Sequence, residues 1–479
     1  MNEVQSTISQ ETTSLAKASR LFNKNYLLLW QGQFISRLGN QTYMLAMVLW
    51  ITSVFSERSA PTIISMLFMS AGIPAVILSV FGGAIADRYS RKRIIVYSDI
   101  INGLAILGLA AVFFLMPGHV NIILVGIFVV NILAAILGSF FTPAISAAIP
   151  DIVPQKRIEA ANSMGQFSIQ TAQFFGYGLG GILFKLIGAP LLVLIDGLTF
   201  LFSAFSESFI KIPQVFPEKT KNAAEQYRKF KQDIKEGLHY IFTNPGLKKL
   251  LYVSVFSTFF STPIGVLMIF FVKHVLQANH EVWYGPILVL YGVGTFVGYL
   301  IVGIARLRGK KRRNTMIAFM ILQSAGYILL GLARDLTFTL ILVFAGGIVF
   351  GFVVANITAL LQLTTPSKIR GRVFGALTTI SGSIAPLAAG LAGPLAEAVG
   401  LENIYFIFIG SGIILVLLSL IIGMSRDFRN FISYTSDDEE EPTGFTYTLN
   451  RMTSNELLKG VYPSEIYNES RIQKSRSEL

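Results

Sequence analysis

Three ionisable side chains stand well inside long apolar runs of this chain, Arg37, Asp99 and Asp196, and Glu207 lies near the end of another such run. Arg37 sits in "QGQFISRLGNQTYM" (31–44), with Gln33, Asn40, Gln41 and Met44 at helical spacing, so the polar residues share one face. A second run repeats the pattern with Gln166, Gln170, Gln173 and Tyr177 at steps of four, three and four. Such residues are suited to recognition and proton exchange, not to bond making. An arginine out of water attracts a carboxylate, a phosphate or a polarised oxygen. It serves equally as half of a structural ion pair, and both roles stay open for Arg37. A carboxylate in a low-dielectric setting titrates near neutral pH. Asp196 is therefore the best candidate for a proton carrier, beside its reading as a hydrogen-bonded structural residue. Covalent chemistry has little to work with. The chain contains no cysteine, which removes thiolates, disulfides and cysteine-bound zinc, and its four histidines fall into no ligand spacing. No phosphate-binding GxxxxGK[ST] loop is present, so ATP does not drive the chain directly. The expectation is a protein that is no enzyme and needs no metal or cofactor.

The elements that position these residues follow from composition. The 479-residue chain is 53% hydrophobic and only 14% charged, with a mean hydropathy of +0.60. Soluble domains carry nearer a quarter charged residues. The composition is that of an integral membrane protein, and runs of about 20 apolar residues are the length needed to cross ~30 Å of hydrocarbon. Twelve such runs are predicted: 27–52, 62–86, 94–116, 120–143, 161–184, 189–210, 249–272, 283–305, 314–333, 336–360, 373–398 and 403–424. Threading them back and forth puts 34 of the 39 Lys and Arg residues on one side. Only Arg58, Lys185, Lys273 and Arg334 fall on the other, and Arg37 lies within a span. That asymmetry places both termini in the cytoplasm. The net charge of +12 is then a topology signal with a pull toward anionic membrane lipid, and a nucleic-acid partner is excluded.

Five segments are expected. They are a cytoplasmic N-terminal piece (1–25), a six-helix bundle (26–210), a basic cytoplasmic linker (211–248), a second six-helix bundle (249–424) and a cytoplasmic tail (425–479). Within the linker, Tyr227, Phe230, Ile234, Leu238 and Ile241 mark an amphipathic helix predicted to lie on the membrane surface. The halves echo each other. Gly83, Arg88, Arg91, Lys92 and Arg93 recur 220 residues later as Gly303, Arg308, Lys311, Arg312 and Arg313. Pro154 and Lys156 recur 212 residues later as Pro366 and Lys368. The fold class expected is all-α, with twelve transmembrane helices in two six-helix pseudo-repeats. The acidic run "SDDEEE" and the polar residues after it are too polar for a further span.

Between the second and third spans the chain reads "GGAIADRYSRKRII" (82–95). This resembles the signature loop of the major facilitator superfamily, matched at Gly83, Asp87, Arg88, Arg91 and Lys92, with Ser90 where a second glycine is usual. Further stretches, "FFTPAISAAIPDIVPQKRIEAANS" (140–163), "IDGLTFLFSA" (195–204), "EGLHYIFTNP" (236–245) and "GRVFGAL" (371–377), resemble bacterial drug exporters of the macrolide-efflux type. The glycines of "FFGYGLGG" (174–181) are similar to an exporter motif of span five, although Tyr177 replaces its proline. The resemblance implies a bacterial plasma-membrane location and a major facilitator fold. It implies a latch in which Gly83, Asp87, Arg88, Arg91 and Lys92 hold one conformation, Asp87 facing the start of span eleven near Arg370 and Arg372, with Asp99 joining that network. It also implies a central cavity lined by spans one, four, five, seven and ten, where Gln33, Arg37, Gln41, Gln170 and Gln173 would touch substrate.

The expected function is export of an amphipathic, uncharged or anionic small molecule by alternating access, in exchange for protons. An uncoupled facilitator, or a carrier of siderophores or lipid-like acids, is the alternative within transport. A sensor or scaffold acting through the tail is the alternative outside it.

Overall fold

The computed structural model describes residues 23–213, 232, 235–305 and 307–434. Among these, every regular element is helical. The N-terminal half begins with α1 (Lys24–Val54), α2 (Ala60–Arg88), α3 (Arg91–Leu115) and α4 (Val120–Ile152). Next comes a continuous helical stretch, Ile158–Ser208, that folds back at Gly188, where φ is 74° and ψ is 170°. Only glycine adopts that backbone cheaply. The turn divides the stretch into α5 (158–187) and α6 (189–208). The C-terminal half holds α7 (Pro245–Phe270), α8 (His280–Ala305), α9 (Gly309–Leu332), α10 (Leu336–Thr364), α11 (Ser367–Val399) and α12 (Tyr405–Met424), and the short α13 (Arg426–Ser433) follows.

Among the described residues, ten helical stretches are long and apolar enough to cross a membrane. One of them is the folded-back stretch, which accounts for two crossings, while α1 falls outside the ten because its polar residues lower its hydropathy. The architecture is consistent with twelve crossings. The echo between halves has a structural counterpart. Pro154 stands before the lead-in to α5 with φ −56° and ψ 140°, and Pro366 stands before α11 with φ −55° and ψ 140°.

The cores show how the halves sit. On the side away from the described ends of the chain, one apolar cluster runs through both halves, joining Leu45, Met47, Ile64 and Leu67 to Ile264, Leu267, Phe271, Ala392 and Phe408. On the terminal side the cores are separate. Tyr26, Leu29, Ile152 and Ala161 belong to the N-terminal half, and Leu247, Phe352, Val373 and Phe428 to the C-terminal half.

The inter-half contacts agree with this. Helix α2 meets α11 where Gly72 lies against Pro386 and Gly393 against Thr62, and α5 meets α8 where Gly181 and Gly285 lie against the carbonyls of Glu281 and Tyr177. A Cβ added at Gly285 would stand 2.1 Å from the Tyr177 oxygen, so a glycine is needed there. Thr62 Oγ1 donates to Glu397 Oε1 at 2.6 Å, and Lys273 Nζ pairs with Glu57 Oε1 at 2.9 Å. Counted back at helical spacing, the contact face of α5 continues from Gly181 through Tyr177 to Gln173, Gln170 and Gln166. That of α11 continues from Gly393 through Gly390 and Pro386 to Gly382, Thr379 and Gly375. Gln166, Gln170 and Thr379 are exposed, and no atom approaches a Cβ position at Gly375 or Gly382. The same faces that are covered on one side are uncovered on the other. The molecule is closed away from its termini and open as a cleft toward them.

Two outcomes follow. Because the chain has no native cysteine, Thr62→Cys with Glu397→Cys is expected to cross-link under mild oxidation, and adding Gly285→Leu is expected to cut the yield several-fold, read by gel mobility. The hydrogen bond from Lys273 holds the Glu57 carboxyl below its ordinary range. Its contribution to closure is therefore present at neutral pH and lost as pH falls through that depressed value, so Glu57→Gln is expected to remove this pH dependence of cross-linking.

Candidate functional site

Helix α1 is wedged between α5 and α6, and its sequence explains why it fits. Gly32 and Gly39, two turns apart, leave room for α6: a Cβ at Gly32 would lie 3.0 Å from Ser203 Oγ, and one at Gly39 would lie 2.7 Å from Asp196 Oδ1. The face toward α5 is joined by side chains reaching backbone. Tyr26 Oη donates to the Ala161 carbonyl at 2.8 Å, Trp30 Nε1 to Met164 at 3.2 Å, and Arg37 Nη1 to Gly165 at 3.4 Å. The face toward α6 is joined by side chains. Gln31 Nε2 donates to Ser206 Oγ at 3.1 Å, and Gln33 Nε2 donates to Glu207 Oε1 at 2.7 Å. Asn23 starts the helix by accepting from the Tyr26 amide at 2.9 Å, and it ties α1 to the end of α4 through Ile152 O at 2.7 Å.

Behind α1 lies a buried polar cluster. Asp99 on α3 and Glu207 on α6 are each 1% exposed. Their carboxyl groups lie within hydrogen-bonding reach of each other. The Ser203 hydroxyl is near both without an aligned hydrogen bond, and Asp99 Oδ2 and Glu207 Oε2 receive no aligned donor. Arg37 feels the charge of Glu207 first, and also that of Tyr26 and Asp99. Arg37 thus donates to the Gly165 carbonyl of α5 while lying within electrostatic range of the two carboxyls. Its cost in hydrocarbon, ~3 kcal/mol or more for an unpartnered arginine, is offset by that opposite charge.

The remaining candidates fall in different places. Gln33 is 5% exposed and turned to Glu207, so its amide is used inside the bundle. Gln41 and Gln173 are half-buried, and Gln170 is exposed at the cleft face of α5. Asp196 is 0% exposed and lies on α6 beneath Gly39, where Thr199 Oγ1 lies 3.5 Å from Asp196 Oδ1. It stands eleven residues from Glu207, ~16 Å along the helix, so it is not part of the carboxyl cluster. The pairing of Asp99 with Glu207 is what sequence reasoning missed. The available signal is that both are acids within apolar runs, although Glu207 lies near a helix end.

The signature loop has its own geometry. Ser90 caps α3 by accepting from the Arg93 amide, and Arg91 Nη1 donates to Asp151 Oδ2 at 2.5 Å and to Ala147 O at 3.0 Å. The loop is thereby bound to α4 within its own half. Lys92 is half-buried, and Arg88 and Arg93 are exposed. The side chains at Gly83 and Asp87 lie outside the described residues, so the Asp87 contact with α11 is not on view. Arg370 Nε donates to Thr365 O at 3.3 Å, and Arg372 pairs with Glu236 of a helical segment at 235–243. That segment is the described part of the expected surface helix; Tyr227, Phe230 and Ile234 lie outside the described residues. It packs on protein: Gly237 lies against the Arg372 carbonyl, Tyr240 Oη donates to Thr364 O at 3.2 Å, and Ile241 is fully buried.

Two helical halves that share a core on one side and part around a polar-lined cleft on the other define a membrane transporter. The chain belongs to the Major Facilitator Superfamily, whose family model matches residues 29–389 and 280–430. It is 24% identical over 344 residues to the multidrug efflux pump Tap of Mycolicibacterium fortuitum, covering 71% of this chain and 81% of Tap. It is 21% identical over 406 residues to macrolide efflux protein A of Streptococcus pyogenes, covering 84% and 96%. Among solved structures, a D-xylose-proton symporter superposes with a TM-score of 0.63 at 16% identity, over 84% of this chain and 97% of that one.

Arg91→Ala is expected to destabilise the detergent-purified protein by on the order of 1–2 kcal/mol, because it leaves a half-buried Asp151 without its partner. Arg93→Ala, at an exposed position, is expected to stay within about 0.5 kcal/mol. Thermal unfolding of the two variants side by side checks this.

Proposed function

We propose that this transporter exports an amphipathic, uncharged or anionic small molecule of macrolide-like character from the cytoplasm, in exchange for protons. Both termini are cytoplasmic in this reading, following the strong one-sided placement of lysine and arginine. The observation that carries the proposal is the cleft. It opens on the basic, terminal side, and exposed Gln166 and Gln170 line it beside Arg37. Glutamine amides and one guanidinium suit a ligand rich in hydroxyl, ether or carbonyl oxygens. A cationic drug would meet no carboxylate on α1. The two efflux relatives support the direction, since each is named for moving compounds out. Anionic lipid lies against the basic rim, the latch residues Asp87, Arg88 and Arg91 bias the closed state of that rim, and the 425–479 tail is a cytoplasmic extension.

The test is uptake of a labelled macrolide panel into inside-out vesicles with an imposed proton gradient, lumen acidic. Gradient-driven accumulation in the wild type is expected to fall tenfold or more in Arg37→Ala. Accumulation indifferent to the gradient would overturn proton exchange, and no accumulation of any macrolide would overturn the substrate class.

A further inference from the structure

We propose that Asp99 and Glu207 together form the proton-binding site of this transporter, sharing one proton across the α3–α6 interface with Arg37 as their counter-charge. This rests on the proton-exchange reading above and names the site that would serve it.

The argument begins with what two facing carboxyls can do. An ionised carboxylate only accepts hydrogen bonds, so two of them within bonding reach repel. One proton placed between them turns the contact into an O–H···O bond. Asp99 and Glu207 are in that position, each 1% exposed, each with one oxygen lacking an aligned donor, and each in reach of the other. A metal is not the alternative, since no group of three or more His, Cys, Asp or Glu side chains able to hold one occurs among the described residues.

Charge balance fixes the number of protons. The charged group acting on the pair is Arg37 on α1, itself beside Tyr26, with the neutral Gln33 on α1 and Ser203 on α6 next to the carboxyls. With one shared proton the carboxyls carry a single negative charge, and Arg37 cancels it. With none, a net negative charge is left in a nearly water-free pocket, which is costly. With two, Arg37 is left without its partner. The singly protonated pair is therefore the resting form, and adding or removing one proton changes what holds Arg37. On release, the O–H bond breaks, its electron pair stays on the carboxyl oxygen, and the proton passes to water.

The pair is also on the correct side for exchange. Glu207 is one residue from the terminal-side end of α6, and Asp99 is eight residues into α3, ~12 Å from its start. Arg37, in the field of the pair, donates to the carbonyl of Gly165, whose neighbour Gln166 lines the open cleft. Asp196 has no comparable arrangement. It is sealed beneath Gly39, and among the described residues no second acid reaches it.

The experiment is infrared difference spectroscopy of the full-length protein in phosphatidylethanolamine–phosphatidylglycerol vesicles, comparing mildly acidic with alkaline buffer and using no substrate. A protonated-carboxyl C=O band that discharges as pH rises is expected. It should downshift when the protein carries 13C-glutamate, because Glu207 is the buried glutamate among the described residues. Glu207→Gln and Asp99→Asn should each abolish it, with Asp196→Asn leaving it in place. The absence of such a band, its indifference to glutamate labelling, or its loss in Asp196→Asn alone would overturn the proposal. The labelled wild type decides the matter even if a variant fails to fold. The reading beneath it fails separately. If erythromycin crosses wild-type vesicles without proton counterflow while the band is present, proton exchange is wrong and the shared proton stands.

Discussion

A guanidinium and two carboxyl groups held in hydrocarbon must lie within reach of one another's charge, and much of the N-terminal half is arranged to keep them there. Helix α1 brings Arg37 in, α3 brings Asp99 and α6 brings Glu207, so three helices are committed to one cluster. The glycines at 32 and 39 let α6 approach α1 closely enough for Gln33 to reach Glu207. The side-chain-to-backbone bonds of Tyr26, Trp30 and Arg37 fix α1 to α5 on its other flank. Nothing in lipid drives helices together as water does, so polar bonds and close small-residue contacts carry the association. Removing one charge from such a set leaves the others exposed to the same cost that the set exists to avoid.

The two halves solve a different problem at their interface. Closure on the non-terminal side combines an extended apolar cluster with two polar ties between halves, Thr62 to Glu397 and Glu57 to Lys273. On the terminal side each half keeps its own core, and in the C-terminal half that core is sealed by added pieces. The segment 235–243 docks through Tyr240 and Ile241, and α13 is held by Arg312, which donates to the carbonyls of Ile432 and Tyr434, and by Lys249 on Asp427. Arg312 sits at the position that echoes Lys92 of the signature loop. Equivalent basic loops thus do unlike work, one tied to α4 and the other anchoring α13.

Much of this was legible in the sequence, for identifiable reasons. Span length, the Gly and Pro punctuation between spans and the one-sided basic charge are one-dimensional signals, and they suffice for the transporter fold. Arg37, Asp99 and Asp196 stood out because ionisable groups at membrane depth are rare. What the sequence does not carry is helix rotation. Gln33 shares a helical face with Arg37, yet one end of that stripe meets Glu207 of α6 while Gln41 at the other lies against Gly176 of α5 and is half-buried. The facing of Asp99 and Glu207 depends on how α3 and α6 turn toward each other, which no periodicity within either helix reports. The apolar stripe ending at Leu238 and Ile241 likewise announces that something covers it, and only the packing shows that protein does so.

The fold-back at Gly188 has a mechanical meaning. Helices α5 and α6 are joined by almost no slack, yet α5 carries the surface that abuts the C-terminal half and α6 carries Asp196, Ser203 and Glu207. Such a hairpin transmits tilt the way a bent lever does. Any swing of α5 away from α8 is felt at the acid-bearing helix, with no flexible loop to absorb it. A longer connection at that corner would uncouple the lever's arms while leaving every contact within each arm intact.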